Sequence, residues 1–236
     1  MEDFDKNVKL SQRTRGKPVT REEGEKIFRS AEAKLKKFKQ RTLIRSQKAT
    51  YILDEKIGSG SFGDVFKAYA DEDYDNPVAI KRFMTKDMKY RKKKTIESEI
   101  AALLLVRHRN SNKCHPALVC MIDLVYTENY ISIVMEYVPG KQIASLPVDL
   151  SIRIVRRLTE GIKSLHDIDL IHRDIKPANI MITPDNQVKI VDLGLACLTA
   201  EIPETKLIQK CISTAGSYLF MDPMIFTTPS NLTKKS

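Results

Sequence analysis

The apolar residues of this chain change period four times, and the places where they change constrain its fold more than any single residue does. From Glu22 to about Arg45, Ile27, Phe28, Ala31, Leu35 and Phe38 recur at three- and four-residue steps among lysines and arginines, which is the spacing of one helix face. From Tyr51 the step shortens to that of strands. Tyr51-Ile52-Leu53 runs into Gly58-Ser59-Gly60-Ser61-Phe62-Gly63, and Val65-Phe66-Lys67-Ala68 follows as a second strand. After the turn Asp75-Asn76-Pro77, Val78-Ala79-Ile80-Lys81 reads as a third. Residues 90–106 return to helical spacing, with Ile96, Ile100, Leu103 and Leu104 on one face. Two strands then lie near Leu118–Val125 and Tyr130–Tyr137, before the break at Pro139-Gly140. Beyond it, Ile152, Val155, Leu158, Ile162 and Leu165 mark a long apolar helix stripe. This order predicts an α+β fold of two lobes: a five-stranded antiparallel sheet with one helix, then a mainly helical lobe. The expected divisions are 1–48 as a basic, partly helical extension, 49–138 as the small lobe and 139–236 as the large one.

Charge narrows the functional classes. The net +10 is uneven: residues 1–50 hold 15 Lys and Arg against 7 Asp and Glu, which leaves only +2 for the remainder. A nearly neutral body argues against nucleic-acid binding as the main function. The basic helix near the N-terminus reads as a helix packed on the domain, with a partner-binding, membrane-surface or nucleic-acid helix as the alternative. The run Lys89–Lys94 reads as a solvated lysine face. At 236 residues, 42% of them hydrophobic, the chain has material for a sizeable core. No apolar run reaches the roughly 20 residues of a membrane span, and the first ten residues (MEDFDKNVKL) lack the apolar core of a secretory signal. Cys114, Cys120, Cys197 and Cys211 are scattered with no C-x-x-C pair. The expectation is reduced thiols in a cytosolic or nuclear protein (the host-cell interior, for a viral one), not a disulfide frame or zinc site.

Several segments carry chemistry. A glycine-rich hairpin lets backbone N–H groups approach phosphate oxygens with no Cβ in the way. The glycine pattern alone also fits dinucleotide folds, but there a helix follows it, and here a strand does. Lys81 stands at a strand end about one hairpin away, placed to meet phosphates if an acid holds it. Glu99 suits that role better than Glu97, because its spacing to Leu103 puts both on the inward helix face. After the long helix comes His172-Arg173-Asp174-Ile175-Lys176-Pro177-Ala178-Asn179. An Asp there can accept a hydroxyl proton, a Lys two residues on can neutralise a transferring phosphoryl group, and an Asn five residues on can hold a metal ion. The short strand Val188-Lys189-Ile190-Val191 leads to Asp192-Leu193-Gly194, whose Asp is placed for a magnesium ion bridging phosphates.

Together these residues resemble the eukaryotic protein kinase family, whose signature joins a Gly-rich loop, V-A-I-K, H-R-D-x-K-x-x-N and D-F-G. The resemblance runs from about Tyr51 to Pro223. It implies a serine/threonine protein kinase that takes ATP and Mg2+ and acts on a protein substrate. It makes Asp174 the base, assisted by Lys176, Lys81 and Glu99, and makes Asn179 and Asp192 the metal ligands. It assigns nucleotide contacts to Ile57, Gly58, Ser59, Gly60, Ser61, Phe62, Gly63, Asp64, Val65, Ala79 and Lys81. It adds Met135 as gatekeeper, the backbones of Glu136 and Val138 as adenine partners, and Met181 beneath the ring. Leu103, Met121, His172 and Leu193 form the expected spine between lobes. Gly216, Ser217 and Pro223 resemble the substrate-docking stretch. Arg173 suggests control by phosphorylation at Thr205, Ser213 or Thr214.

Three departures stand out. Leu193 replaces the Phe of D-F-G and can fill the same apolar slot. Met224 stands where the family has the Glu of A-P-E. The chain ends about a dozen residues after Met224, so the large lobe reads as truncated, with an exposed apolar surface that invites a partner or self-association. A pseudokinase that binds nucleotide and serves as scaffold or decoy is the alternative reading.

Overall fold

The computed structural model describes Arg29 and residues 42–60, 63–86, 88–143, 148–199, 208, 211 and 215–223. The chain divides into two units, Met1–Arg41 and Thr42–Ser236. Of the first only Arg29 is described, within a helix, so the expected stripe from Ile27 to Phe38 lies outside the described residues.

The second unit opens with six strands and one helix: β1 (Leu43–Arg45), β2 (Thr50–Gly60), β3 (Gly63–Ala70), β4 (Pro77–Met84), α1 (Tyr90–Arg109), β5 (Met121–Tyr126) and β6 (Tyr130–Glu136). The strands form one antiparallel sheet in the order β1-β2-β3-β4-β6-β5. The central strands are buried on both faces, and the two-residue period sorts their side chains between two cores. Val78, Ile80 and Val134 join Ile44, Tyr51, Leu53 and Ala68 on one face. Phe83, Ile131, Ile133 and Met135 join Ile96, Ile100 and Leu103 of α1 on the other. The odd-numbered residues of β4 thus face α1, and Lys81 is one of them.

The second part holds β7 (Lys141–Gln142), α2 (Val148–His166), β8 (Leu170–Ile171), a 3-10 turn (Pro177–Asn179), β9 (Ile180–Ile182), β10 (Val188–Ile190), β11 (Cys197–Leu198) and a 3-10 turn (Tyr218–Phe220). β10, β9 and β7 form a small antiparallel sheet, and β11 pairs with β8. These pairs hold the two ends of the loop from His172 to Lys176. No described helix is long and apolar enough to cross a membrane.

Four expectations need correction. The sheet has a sixth strand, because Ile44 is 3% exposed and packs with Tyr51 and Leu53, so residues 43–45 follow a two-residue period and leave both the helix and the extension they were read into. On α1, Ile96, Glu99, Ile100 and Leu103 are buried, whereas Leu104, one position round from Leu103, is 48% exposed. On α2 the buried line is Ile154, Gly161 and Leu165, while Ile152 and Val155 lie on the solvent side. Gly161 is on that line because β10 comes close: a Cβ there would stand 3.0 Å from both Ala117 and Ile190. The cysteines are paired, Cys114 with Cys120 and Cys197 with Cys211, their Cα atoms 5.2 and 5.1 Å apart. Separations of 6 and 14 residues carry no motif; the loop before β5 brings Cys114 to Cys120, and Cys211 lies beside β11, its N–H bonded to the Leu198 carbonyl at 3.0 Å.

Candidate active site

Between the sheet and the second part lies a cleft of about 650 Å3. Its roof is the β2–β3 hairpin, where Gly58 pairs with Val65, Ser59 with Asp64 and Gly60 with Gly63. Gly63 must be glycine at this approach, since a Cβ would strike the Arg82 carbonyl of β4. Lys81 reaches from β4 to Glu99 of α1, with Nζ 2.6 Å from Oε1, and to Asp192 Oδ1 at 3.1 Å. The Lys81 and Glu99 side chains are 10% and 2% exposed, while Asp192 opens to the cleft at 44%. Burial works against the Lys81 charge, but Glu99 and Asp192 outweigh it and hold the ammonium above its ordinary pKa. Burial likewise favours a protonated Asp192, yet Lys81 and the Gly194 N–H, 3.1 Å from Oδ1, keep the carboxyl below its usual range.

On the floor, Asp174 is gripped from three sides. Lys176 Nζ is 2.7 Å from Oδ2, the Ser217 hydroxyl donates to Oδ1 at 2.8 Å, and Asn179 Nδ2 donates to Oδ2 at 3.0 Å and to the Asp174 carbonyl at 2.8 Å. Lys176 also donates to Ser217 Oγ at 2.9 Å. Burial pushes Asp174 upward, but Lys176 and Ser217 together bring it below the ordinary aspartate value, so it is an anion at neutral pH. Arg173 and Asp192 have left-handed backbone, φ +65° and +68°, a conformation that costs energy and clusters at functional sites. Arg173 Nε donates to the Leu195 carbonyl at 2.6 Å and His172 Nδ1 accepts the Asp174 N–H at 3.2 Å, which sets the loop between those residues. His172 is buried, and that burial holds its imidazole below its ordinary pKa, so it is neutral.

This lysine–glutamate pair, the gripped aspartate and the Asp-Leu-Gly turn share one cleft in the order of the protein kinase domain, which matches residues 51–235. The chain belongs to the protein kinase family. A probable serine/threonine-protein kinase of Dictyostelium discoideum is 33% identical over 153 residues, covering 62% of this chain and 11% of that protein. A probable cell division protein kinase of Encephalitozoon cuniculi is 32% identical over 149 residues, 62% of this chain and 53% of that protein. A serine/threonine-protein kinase of Candida albicans is 33% identical over 176 residues, 72% of this chain and 13% of that protein. The chain thus spans from about a tenth to about half the length of these relatives.

Of the residues the kinase signature singles out, Ile57, Gly58, Ser59, Gly63, Val65, Ala79, Lys81, Glu99, Met135, Glu136, Val138, Asp174, Lys176, Asn179, Met181 and Asp192 line the cleft. Asp64 is not among them: it pairs with Lys56 at 2.7 Å and Ser59 at 2.9 Å on the exposed side of the hairpin. Ser61, Phe62, Thr205, Ser213, Thr214 and Met224 lie outside the described residues. Leu103, Met121 and Leu193 share one core, with His172 buried as well, and Leu193 at 2% exposure occupies the apolar place expected of a Phe. Val119, Tyr137, Gly140 and Gln142 line the cleft too. No motif marks them: the run from β6 into β7 brings Tyr137, Gly140 and Gln142 there, and the loop before β5, bonded to β10 through the Val119 N–H and the Ile190 carbonyl, brings Val119.

Proposed function

We propose that this chain transfers the γ-phosphoryl group of ATP to serine or threonine hydroxyls of a protein substrate, with Asp174 as the base. The observation that carries the reading is the Asp174 carboxylate, ionised and aimed by Lys176, Ser217 and Asn179, in the same cleft as the Lys81–Glu99 pair. Adenine fits beside the β6 end. The Glu136 N–H is already bonded to the Cys120 carbonyl at 2.9 Å, so that residue has its carbonyl to offer, while Val138 supplies an N–H. Val65 and Ala79 lie above the ring and Met181 below it. Lys81, fixed by Glu99, meets the phosphates as a point charge.

The residues present suit a magnesium ion. Asn179 spends its Nδ2 on Asp174, leaving Oδ1, and Asp192 spends Oδ1 on Lys81 and Gly194, leaving Oδ2. Two hard oxygen donors, completed by phosphates and water, are what Mg2+ takes at such sites. When bound, the ion supplies charge neutralisation on the phosphates. The substrate hydroxyl gives its proton to Asp174, and Lys176 beside it faces the charge that develops on the moving phosphoryl group. Serine/threonine specificity rests on Lys176 two residues after Asp174 and on the names of the relatives.

The test is transfer of label from γ-labelled ATP to a basic protein, comparing the wild type with Asp174→Ala and identifying the labelled residues. Asp174→Ala lowers incorporation at least a hundredfold if it removes the base. Equal incorporation by the two proteins rejects the reading, and label on tyrosine rejects its specificity.

A further inference from the structure

Lys189 lies on β10, three residues before Asp192, and its ammonium does not face solvent. It is 2.8 and 2.9 Å from the two carboxylate oxygens of Glu136, at the end of β6, and 3.4 Å from the carbonyls of His115 and Leu118. The Lys189 side chain is 14% exposed and that of Glu136 27%. Glu136 Oε1 also accepts the Cys120 N–H at 2.9 Å, and the Glu136 N–H returns a bond to the Cys120 carbonyl. The loop itself is sewn to β10, since Val119 N–H bonds the Ile190 carbonyl at 2.9 Å and Ile190 N–H the Ala117 carbonyl at 2.8 Å. One lysine therefore ties three segments together: the loop before β5, the end of β6 and the strand that delivers Asp192.

We propose that Lys189 is a positioning residue for nucleotide binding, acting through Glu136 as a clasp that fixes the crossover at residues 136–138. The inference rests on the kinase reading above, in which that crossover receives adenine. The physical reason is geometric. Beyond Glu136 the chain leaves the sheet, and rotation about this point swings the β2–β3 hairpin away from Asp174 and Asp192. A charge-assisted, two-oxygen contact from β10 opposes the rotation more strongly than a neutral hydrogen bond does. Without the lysine, the Glu136 carboxylate keeps one N–H partner and a half-buried charge, and it turns toward water. Lys189 touches neither reactant, so it governs how well the cleft is formed and not the chemical step.

Three variants test this. Lys189→Met keeps the length of the stem and removes the charge. Glu136→Gln keeps an oxygen for the Cys120 N–H, disturbs the fold less and removes the opposite charge. Lys189→Arg preserves both charge and donors. Affinity is read with a fluorescent ATP analogue, KM and kcat by steady-state transfer, and amide hydrogen exchange at Cys120 and Glu136 in nucleotide-free protein. The expected result is a rise of about tenfold in Kd and KM for Lys189→Met and Glu136→Gln, the scale of one charged hydrogen bond. The kcat stays within about twofold, exchange at both amides is faster, and Lys189→Arg restores most of the affinity. Unchanged Kd and exchange in both charge-removing variants overturn the clasp while the kinase reading stands. A fall in kcat with unchanged KM also overturns it. A wild-type chain that binds no nucleotide overturns both.

Discussion

Glu99 sits 2% exposed with a single ammonium against it, and its Oε2 has no hydrogen-bond partner among the described residues. Burial raises the pKa of such a carboxyl, and Lys81 is what opposes the rise. Removing one member of a buried pair costs roughly 3–5 kcal/mol, because the survivor is left charged in an apolar place. In Lys81→Met the folded-state pKa of Glu99 rises well above its unfolded value of about 4.3. A carboxyl shifted upward binds its proton more tightly folded than unfolded, so the variant loses stability as pH rises through that interval. Its deficit against the wild type is therefore small near pH 4 and grows toward pH 8. Urea midpoints measured across that range check this, and a deficit independent of pH would mean that Glu99 does not carry the cost. The pairing was legible in the sequence, since a four-residue step from Glu99 to Leu103 puts the two on one face. The grip on Asp174 was legible only in part: Lys176 and Asn179 follow from their spacing, but the hydroxyl of Ser217 reaches Asp174 across 43 residues.

At the scale of elements, the segment 215–217 closes the floor. Gly216 has φ +127°, and a Cβ there would run into the carbonyl of Arg173, a residue itself left-handed. Gly216→Ala thus adds a steric clash to a conformation that costs about 1–3 kcal/mol for other residues. The chain must shift, and Ser217 moves with it from Asp174 and Lys176. On the proposed function, transfer to a protein substrate falls at least tenfold while affinity for nucleotide is unchanged, because the roof and the Lys81–Glu99 pair are untouched. Equal losses in both would place the effect in folding instead. The elements themselves differed in how far their sequences revealed them. Strands β2 to β6 and helix α1 are long enough for their period to be read. The three-residue β1 is not, and only Ile44 packing against Tyr51 makes it a strand. Helix α2 carries apolar residues on two sides, so the stripe through Ile152 and Val155 was as visible as the one through Ile154 that the core selects.

Across the whole molecule, two covalent closures constrain the unfolded chain, and no sequence motif announces either. Linking residues 14 apart, Cys197 to Cys211, removes loop entropy worth about 3 kcal/mol, and the same relation gives about 2 kcal/mol for the 6-residue separation from Cys114 to Cys120. The first joins the strand that pairs with β8, directly ahead of the loop from His172 to Lys176, to the stretch that leads to Ser217. The second closes the loop whose carbonyls receive Lys189. Because the stabilisation acts on the unfolded ensemble, it appears in unfolding equilibria and not in the geometry of the cleft. A dithiol reductant lowers the unfolding free energy of the wild type by about 5 kcal/mol in urea. Cys211→Ser lowers it by about 3 kcal/mol without reductant and leaves about 2 kcal/mol for the reductant to remove. A double variant, Cys114→Ser with Cys211→Ser, no longer responds to the dithiol. A wild type insensitive to reductant would show that the two closures add nothing to stability and leave packing to the buried Cys120 and Cys197, since Cys114 is exposed.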